Sequence, residues 1–234
     1  MAAPTVAAEV VDLAETSLRE LNQRLHDLAG GADGPRSWRI LHPSGAHNIA
    51  CGLDAEIEVV IEGHAGYYCA GMNQHASVLV TGNAGQGVAE NMMSGRVTVA
   101  GNASQAAGAT AHGGLLHVRG DASARCGISL KGAAIVVEGS IGHMSAFMAQ
   151  TGTIVVLGDA GDALGDSMYE AHLYVRGTVA GLGADCIEKA LGDFHRAELA
   201  GLLAEAGVTG ADVGEFRRYG SARNLYTFKI DNVY

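Results

Sequence analysis

The sequence predicts an all-β protein: a single-stranded right-handed parallel β-helix with about seven 19-residue coils, a short N-terminal helix and an α-helical C-terminal cap. Its main signal is a ladder of glycines that recur every 19 residues, and an internal period near 20 residues is typical of stacked coils. Branched aliphatic residues also precede each glycine by two and four positions, and only Ala or Gly occurs 13 positions after it. The glycine ladder consists of Gly63, Gly82, Gly101, Gly120, Gly139, Gly158 and Gly177.

The aliphatic pairs predict one short strand in each coil, with one face buried. Val59 and Ile61 are the first pair, and β-branched residues at alternate positions are typical of a strand. The small residue that follows, Ala76 in this coil, predicts a corner where backbones pack closely or φ is positive. A helical solenoid does not tolerate so much glycine, and 19 does not fit a hexapeptide repeat. Right-handed winding is expected from the general preference of crossovers.

The segments on either side of the coils have helical patterns. Ser17 and Glu20 form a capping box before leucines at helical spacing, and Gly30 ends that helix. Beyond Gly183 the apolar pattern indicates one helix, or two helices broken near Gly192. We therefore divide the chain into an N-terminal segment (1–36), the β-helix (37–185), and a helical cap with a Tyr- and Arg-rich tail (186–234).

The tail concentrates aromatic and basic residues in a chain that is otherwise poor in aromatics. Tyr and Arg often anchor protein interfaces, but terminal segments also cap solenoid ends. Capping alone and capping combined with partner docking both remain open. The candidate docking residues are Arg217, Arg218, Tyr219, Arg223 and Tyr226.

Charge and composition exclude several function classes. The chain has 25 acidic and 15 basic side chains, a net charge of −10, and no basic stripe. Nucleic acid and anionic membranes are therefore not expected partners. No apolar run approaches the roughly 20 residues that span a bilayer, and the N-terminus lacks the pattern of a signal peptide. We expect a cytoplasmic protein.

No catalytic, cofactor-binding or metal-binding residue is predicted. Cys69 and Cys126 occupy the same repeat position three coils apart, about 14 Å by strand spacing, which is too far for a disulfide. The four cysteines are expected to be buried apolar residues, and Asp159 a solvated turn residue. A polysaccharide lyase or hydrolase is disfavoured because the coils lack aromatic platforms. Isolated surface histidines are expected at His64, His75, His112, His117, His143 and His172, which fall at six different repeat positions.

The coil motifs resemble a known domain. Residues 82–87 (Gly-Asn-Ala-Gly-Gln-Gly), the Gly158–Met168 segment and the Val-x-Val-x-Gly strand ends are similar to the GXGXG domain over roughly residues 37 to 185. That domain is the C-terminal β-helix of the glutamate synthase large subunit. It also occurs as a separate β-helix chain in formylmethanofuran dehydrogenase and in a formyltransferase/hydrolase complex.

The flanking segments resemble one branch of this family. Residues 12–22 and 215–226 are similar to the stand-alone B subunit of N-methylglutamate synthase. The resemblance implies two partners, a class II glutamine amidotransferase-like subunit and an FMN-dependent, iron–sulfur-bearing glutamate-synthase-like subunit. It implies no cofactor on this chain. The complex would make N-methylglutamate and ammonia from methylamine and glutamate.

The role implied for the β-helix is that of a rigid, non-catalytic scaffold. It would hold the two partner centres in register for amine channelling, using one flat side of the coils and the tail for docking. The alternative is the corresponding β-helix scaffold of a formylmethanofuran dehydrogenase or formyltransferase/hydrolase complex.

Overall fold

A computed structural model describes residues 8–222 and confirms the parallel β-solenoid. The described chain contains eleven strands and two α-helices, α1 (Leu18–His26) and α2 (Asp193–Ala206). Neither helix is long and apolar enough to cross a membrane. The strands are β1 (Glu9–Asp12), β2 (Ser37–Leu41), β3 (Glu58–Ile61), β4 (Ser77–Val80), β5 (Arg96–Val99), β6 (Leu115–Val118), β7 (Lys131–Val137), β8 (Thr151–Val156), β9 (His172–Val175), β10 (Cys186–Lys189) and β11 (Arg217–Ser221).

Strands β1 to β9 stack in chain order as one parallel ladder. From β3 to β9 the core pairs keep a constant 19-residue offset, as Val59 with Val78 and Val78 with Val97. The register shifts only at the start of β7, between Lys131 and Ala134. The inward side chains of these pairs are buried and form the continuous core. Strand β1 was not predicted. It pairs with β2 and extends the ladder at its N-terminal end, and α1 lies in the connection between β1 and β2.

Close backbone approach explains the glycine ladder. The N–H of Gly82 donates to the carbonyl of Gly63 at 2.9 Å, and the same bond repeats up the stack to Gly177 and Gly158 at 3.0 Å. A Cβ at Gly120 would lie 2.8 Å from the carbonyl oxygen of Gly101. From Gly82 to Gly177, a side chain at a ladder position would therefore push two coils apart.

Left-handed backbone conformations define another part of each coil. We call this part the third side, and it consists of residues 68–72 and their equivalents in the following coils. Tyr68, Ala70 and Met72 have φ values of 58°, 52° and 55°. Residues 19 positions further on repeat this pattern in each coil. The N–H of Tyr68 donates to the next coil at Gln86, whereas that of Ala70 donates to the preceding coil at Ile49. Backbone hydrogen bonds therefore join the coils here without a β-ladder.

Helix α1 closes the N-terminal end of the third side. Ser17 is its N-cap, and one of the two bonds of the predicted capping box is present, because the Ser17 hydroxyl accepts from the Glu20 N–H at 3.2 Å. Asn22 donates to the Asn48 carbonyl at 2.9 Å and accepts from the Ala50 N–H at 3.0 Å. The Asn22 side chain thus makes the hydrogen bonds that the backbone of a preceding coil would otherwise make.

The C-terminal segment differs from the predicted helix. Residues 186–189 form strand β10, and α2 begins only after Gly192. Strand β11 pairs antiparallel with β9 and with β10, so β11 and β10 extend the ladder beyond β9 at its C-terminal end. Helix α2 instead lies on the outer face of the sheet, where Leu199 and Leu203 pack against the outward side chains of β6 to β9.

Two-sided burial of the later strands follows from this position of α2. Outward side chains such as Val136 and Val155 are fully buried, although the repeat predicted one buried face. Arg96 on β5 donates through Nη1 to the Glu205 carbonyl at 3.1 Å, close to the helix end. The outward groups of β3 and β4 lie beyond that end, and their outer face is more accessible, as at Val60 and Leu79.

Candidate docking surfaces

The structure separates the candidate docking residues of the tail. Arg217 is exposed, and its Nη2 donates to the Gly177 carbonyl at 3.1 Å. Arg218 is half-buried and donates to the Ala190 carbonyl at 3.3 Å. Tyr219 is 3% exposed and packs in the core, where burial raises its pKa. Arg223 and Tyr226 lie outside the described residues, so Arg217 is the described candidate with the most accessible side chain.

A polar network fixes α2 on the sheet. The Glu198 carboxylate accepts from Tyr174 Oη at 2.5 Å and from Thr153 Oγ1 at 3.3 Å, and it pairs with His172 Nδ1 at 2.8 Å. Burial opposes ionisation of Glu198, but the bonds from Tyr174, His172 and Thr153 outweigh it and hold its pKa below the ordinary value. Burial and the bond to Glu198 raise the pKa of Tyr174, so the proton stays on the phenol.

Sequence reasoning missed this network because its residues are far apart in the chain. His172 was expected to be an isolated surface histidine, yet it contacts Glu198 on the helix. The available signal was the pair of outward positions in β7, Ala134 and Val136, which are both apolar. Uninterrupted apolar runs such as Ala133–Val137 are typical of strands covered on both faces.

A column of polar side chains follows the glycine ladder and joins successive coils. His64 Nδ1 accepts from the Asn83 N–H at 2.9 Å, and Asn83 Oδ1 accepts from the Asn102 N–H at 2.9 Å. Asp159 accepts from both the backbone and the hydroxyl of Thr178, and these bonds lower its pKa. His64 is therefore a structural member of the stack and not the isolated histidine that the sequence had suggested. Asp159 is exposed, as predicted for a solvated turn residue, and it also bonds the next coil.

Three of the four cysteines are buried as predicted, and Cys51 is half-buried. All four thiols are free, and Cys69, Cys126 and Cys186 are buried. Burial raises the pKa of Cys69 and of Cys126 to about 12. Across residues 8–222, the structure contains no group of three or more His, Cys, Asp or Glu side chains that could hold a metal ion.

Exposed apolar side chains lie on and beside the third side of the two coils that contain β3 and β4. Tyr67 is 50% exposed, Tyr68 39%, Met72 49% and Met93 45%. Beside Tyr68 and Met72 a cleft of about 300 Å³ opens onto Glu90. This surface was not predicted from the sequence, because the coils as a whole are almost free of aromatics.

Comparison with known proteins identifies the family. Residues 47–195, more than half of the chain, match the family model described as GXGXG motif. The chain belongs to the GXGXG motif family. This GXGXG protein is also 58% identical over 224 residues to Protein GlxC of Rhizobium meliloti (strain 1021). The matched residues make up 96% of the chain and 98% of Protein GlxC. The glutamate-synthase-like β-helix predicted from the coil motifs is thus confirmed, and the matched region includes the glycine ladder and the third side.

Proposed function

We propose that the chain is a non-catalytic scaffold subunit of a glutamate-synthase-like complex, and that this complex is an N-methylglutamate synthase. Membership of the GXGXG family over residues 47–195 carries the proposal. The flanking segments that resemble the B subunit of that enzyme support the narrower assignment.

The construction of the coils supports a mechanical role. Backbone hydrogen bonds join successive coils at the strands, along the glycine ladder and on the third side. A side-chain network holds α2 against the sheet, and α1 bonds the first coil. A stack bonded on several sides resists bending, which suits a subunit that holds two reaction centres in register.

The proposed complex divides its chemistry between other chains. A class II glutamine amidotransferase-like subunit and an FMN-dependent, iron–sulfur-bearing synthase-like subunit would carry the reacting groups. Methylamine and glutamate would be converted to N-methylglutamate and ammonia, with the amine passing between the partners. The present chain would set the distance and orientation of the two centres, and we place the assembly in the cytoplasm.

Reconstitution tests this proposal. The chain is co-expressed with amidotransferase-like and flavin-containing synthase-like subunits, and N-methylglutamate formation is measured with and without it. We expect a stoichiometric complex whose activity requires the chain. Full activity without the chain, or failure of the three proteins to associate, would contradict the proposal.

A formyl-transfer scaffold is the second candidate, and it rests on the glycine pattern between Gly158 and Met168. In the structure, Met168 is 1% exposed, and a Cβ at Gly165 would lie 2.8 Å from the sulfur atoms of Met168 and Cys186. Packing in the last coil is therefore a sufficient reason for the pattern. Association with a formyltransferase subunit, and not with the amidotransferase-like protein, would favour this candidate.

A further inference from the structure

We propose that the third side of the first coils binds an arginine-bearing segment of a partner subunit. The surface, here called the tyrosine face, consists of Tyr67, Tyr68, Met72 and the adjoining Glu90 cleft. The inference deepens the proposed scaffold function, on which it rests, by naming a docking surface and the chemistry of its occupant.

Exposure and composition distinguish the tyrosine face. Tyr67, Tyr68 and Met72 are each more than a third exposed, although they lie within six residues of one another. Tyrosine and methionine are enriched at protein interfaces, and contiguous exposed apolar groups commonly mark such sites. Contact with water alone would not favour such a cluster of apolar side chains on the surface.

The rings are held in place before any partner arrives. His47 stacks on Tyr67 with ring centroids 4.4 Å apart, and His47 Nδ1 accepts from the Tyr67 N–H at 2.9 Å. Tyr68 meets Tyr67 edge-on at 6.4 Å. Since these side chains are already ordered, binding would cost little further side-chain entropy.

The backbone conformation of Tyr68 is a general feature of the coils and does not account for the tyrosine side chain. Its φ is 58°, a left-handed conformation that is unfavourable for a bulky residue. The equivalent residue of the next coil is Gly87, with φ 71°, which adopts this conformation without strain. Ala106, Arg125 and Met144 occupy the same position in later coils with φ between 53° and 60°, so the coil sets this backbone angle and does not require tyrosine here.

A carboxylate beside the Tyr68 ring defines the chemistry. A Cβ at Gly87 would lie 2.6 Å from Tyr68 Cδ1 and 2.7 Å from Glu90 Oε2, so the ring and the carboxylate flank the same point. Burial, and then the charge of Glu90, raise the pKa of the nearby Cys51 thiol, which consequently stays neutral. No salt bridge in the described part of the chain includes Glu90.

An arginine side chain fits this arrangement. A guanidinium can stack on an aromatic ring while it donates two hydrogen bonds to a carboxylate. The cleft of about 300 Å³ also offers polar groups from Asn91 and Thr110. The chain's net charge of −10 favours the approach of a basic segment.

Binding measurements on the co-expressed subunits test the inference. The affinity of the chain for the amidotransferase-like and the synthase-like subunit is measured separately, at low and high salt. Glu90→Gln should weaken binding to one of them about tenfold and reduce its salt dependence, since the charged contact is lost while the shape is kept. Glu170→Gln, which changes an exposed carboxylate on a distant coil, should leave the affinity unchanged.

Tyr68→Gly separates docking from folding. Glycine occupies the equivalent position at Gly87, so the variant should remain folded, as circular dichroism would show. It should nevertheless bind the partner at least tenfold more weakly, because the ring is removed. Phe194→Ala removes an exposed aromatic ring on α2 and should have no such effect.

The possible outcomes separate the two proposals. If the wild-type chain binds neither subunit, the scaffold function and this inference both fail. If it binds but Glu90→Gln and Tyr68→Gly bind equally well, the scaffold function stands and the tyrosine face is excluded as the docking surface.

Discussion

Gly120 illustrates how single residues determine the spacing of the coils. Its N–H bonds the Gly101 carbonyl at 3.0 Å, and a Cβ would meet that carbonyl at 2.8 Å. We expect Gly120→Ala to lower the free energy of unfolding by about 1 to 3 kcal/mol, because backbone atoms cannot move aside as a side chain can. Urea denaturation measures the change.

Gly201 provides the matched control for that substitution. It lies inside α2, and a Cβ there would meet nothing within 4 Å. Gly201→Ala should raise stability by about 0.5 to 1 kcal/mol, since alanine has the higher helix propensity. Equal losses in the two variants would show that the tight packing of the ladder is not the cause.

Asn22 carries the hydrogen bonds between α1 and the first coil. Asn22→Leu leaves the Ala50 N–H and the Asn48 carbonyl without these partners. We expect a loss of about 1 to 3 kcal/mol in the free energy of unfolding. Gln23→Leu changes an exposed neighbour on the same helix and should alter stability by no more than about 0.5 kcal/mol. An Asn22→Leu variant as stable as Gln23→Leu would contradict this role.

At the level of elements, the attachment of α2 should depend on pH. Hydrogen bonds hold the pKa of Glu198 below its ordinary value of 4.5. A depressed carboxyl pKa stabilises the fold fully above the unfolded value, and this contribution is lost as the pH falls through the folded value. Unfolding curves between neutral and acid pH should therefore show a loss of stability that begins near pH 4.5.

Glu198→Gln should remove that part of the pH dependence. At neutral pH it should cost about 1 to 3 kcal/mol, because a bonded carboxylate is replaced by a neutral amide. The difference from wild type should shrink in acid. Glu205→Gln, an exposed position on the same helix, serves as the control. A constant difference across the pH range would exclude a contribution from Glu198 ionisation.

The elements also show how far the sequence could predict the fold. The strands of the coils and helix α1 were predictable because the 19-residue period and the Ser17 cap are local signals. The boundary between β10 and α2 was not, because Cys186–Lys189 is a strand only through its pairing with β11. The Glu198 network depends on contacts between β8, β9 and α2, and no local pattern encodes such contacts.

Among the candidate docking residues, the sequence supplied the types but not their exposure. Tyr219 and Tyr68 are both tyrosines, yet the first is 3% exposed and the second 39%. Burial of Tyr219 follows from the antiparallel pairing of β11 with β9, a long-range feature. The exposure of Tyr68 likewise became visible only in the structure.

For the whole molecule, Arg217 offers a test of docking at the C-terminal end. The side chain is exposed, so Arg217→Glu should leave the melting temperature nearly unchanged. We expect complex assembly to slow several-fold at low salt, because exposed interface charges mainly affect association rates. Arg196→Glu, at an exposed arginine on α2, is the matched control. Identical assembly rates for both variants would exclude Arg217 from docking.

The strict register of the coils has a consequence for the dimensions of an assembly. Each coil adds one strand, so the distance between the tyrosine face and β11 can change only in steps of about 4.8 Å. Deleting or duplicating one 19-residue unit would shift a bound partner by one such step while every inter-coil bond could re-form. In the proposed complex, the number of coils would thereby fix the length of any passage between two bound partners, and that length could change only in whole coils.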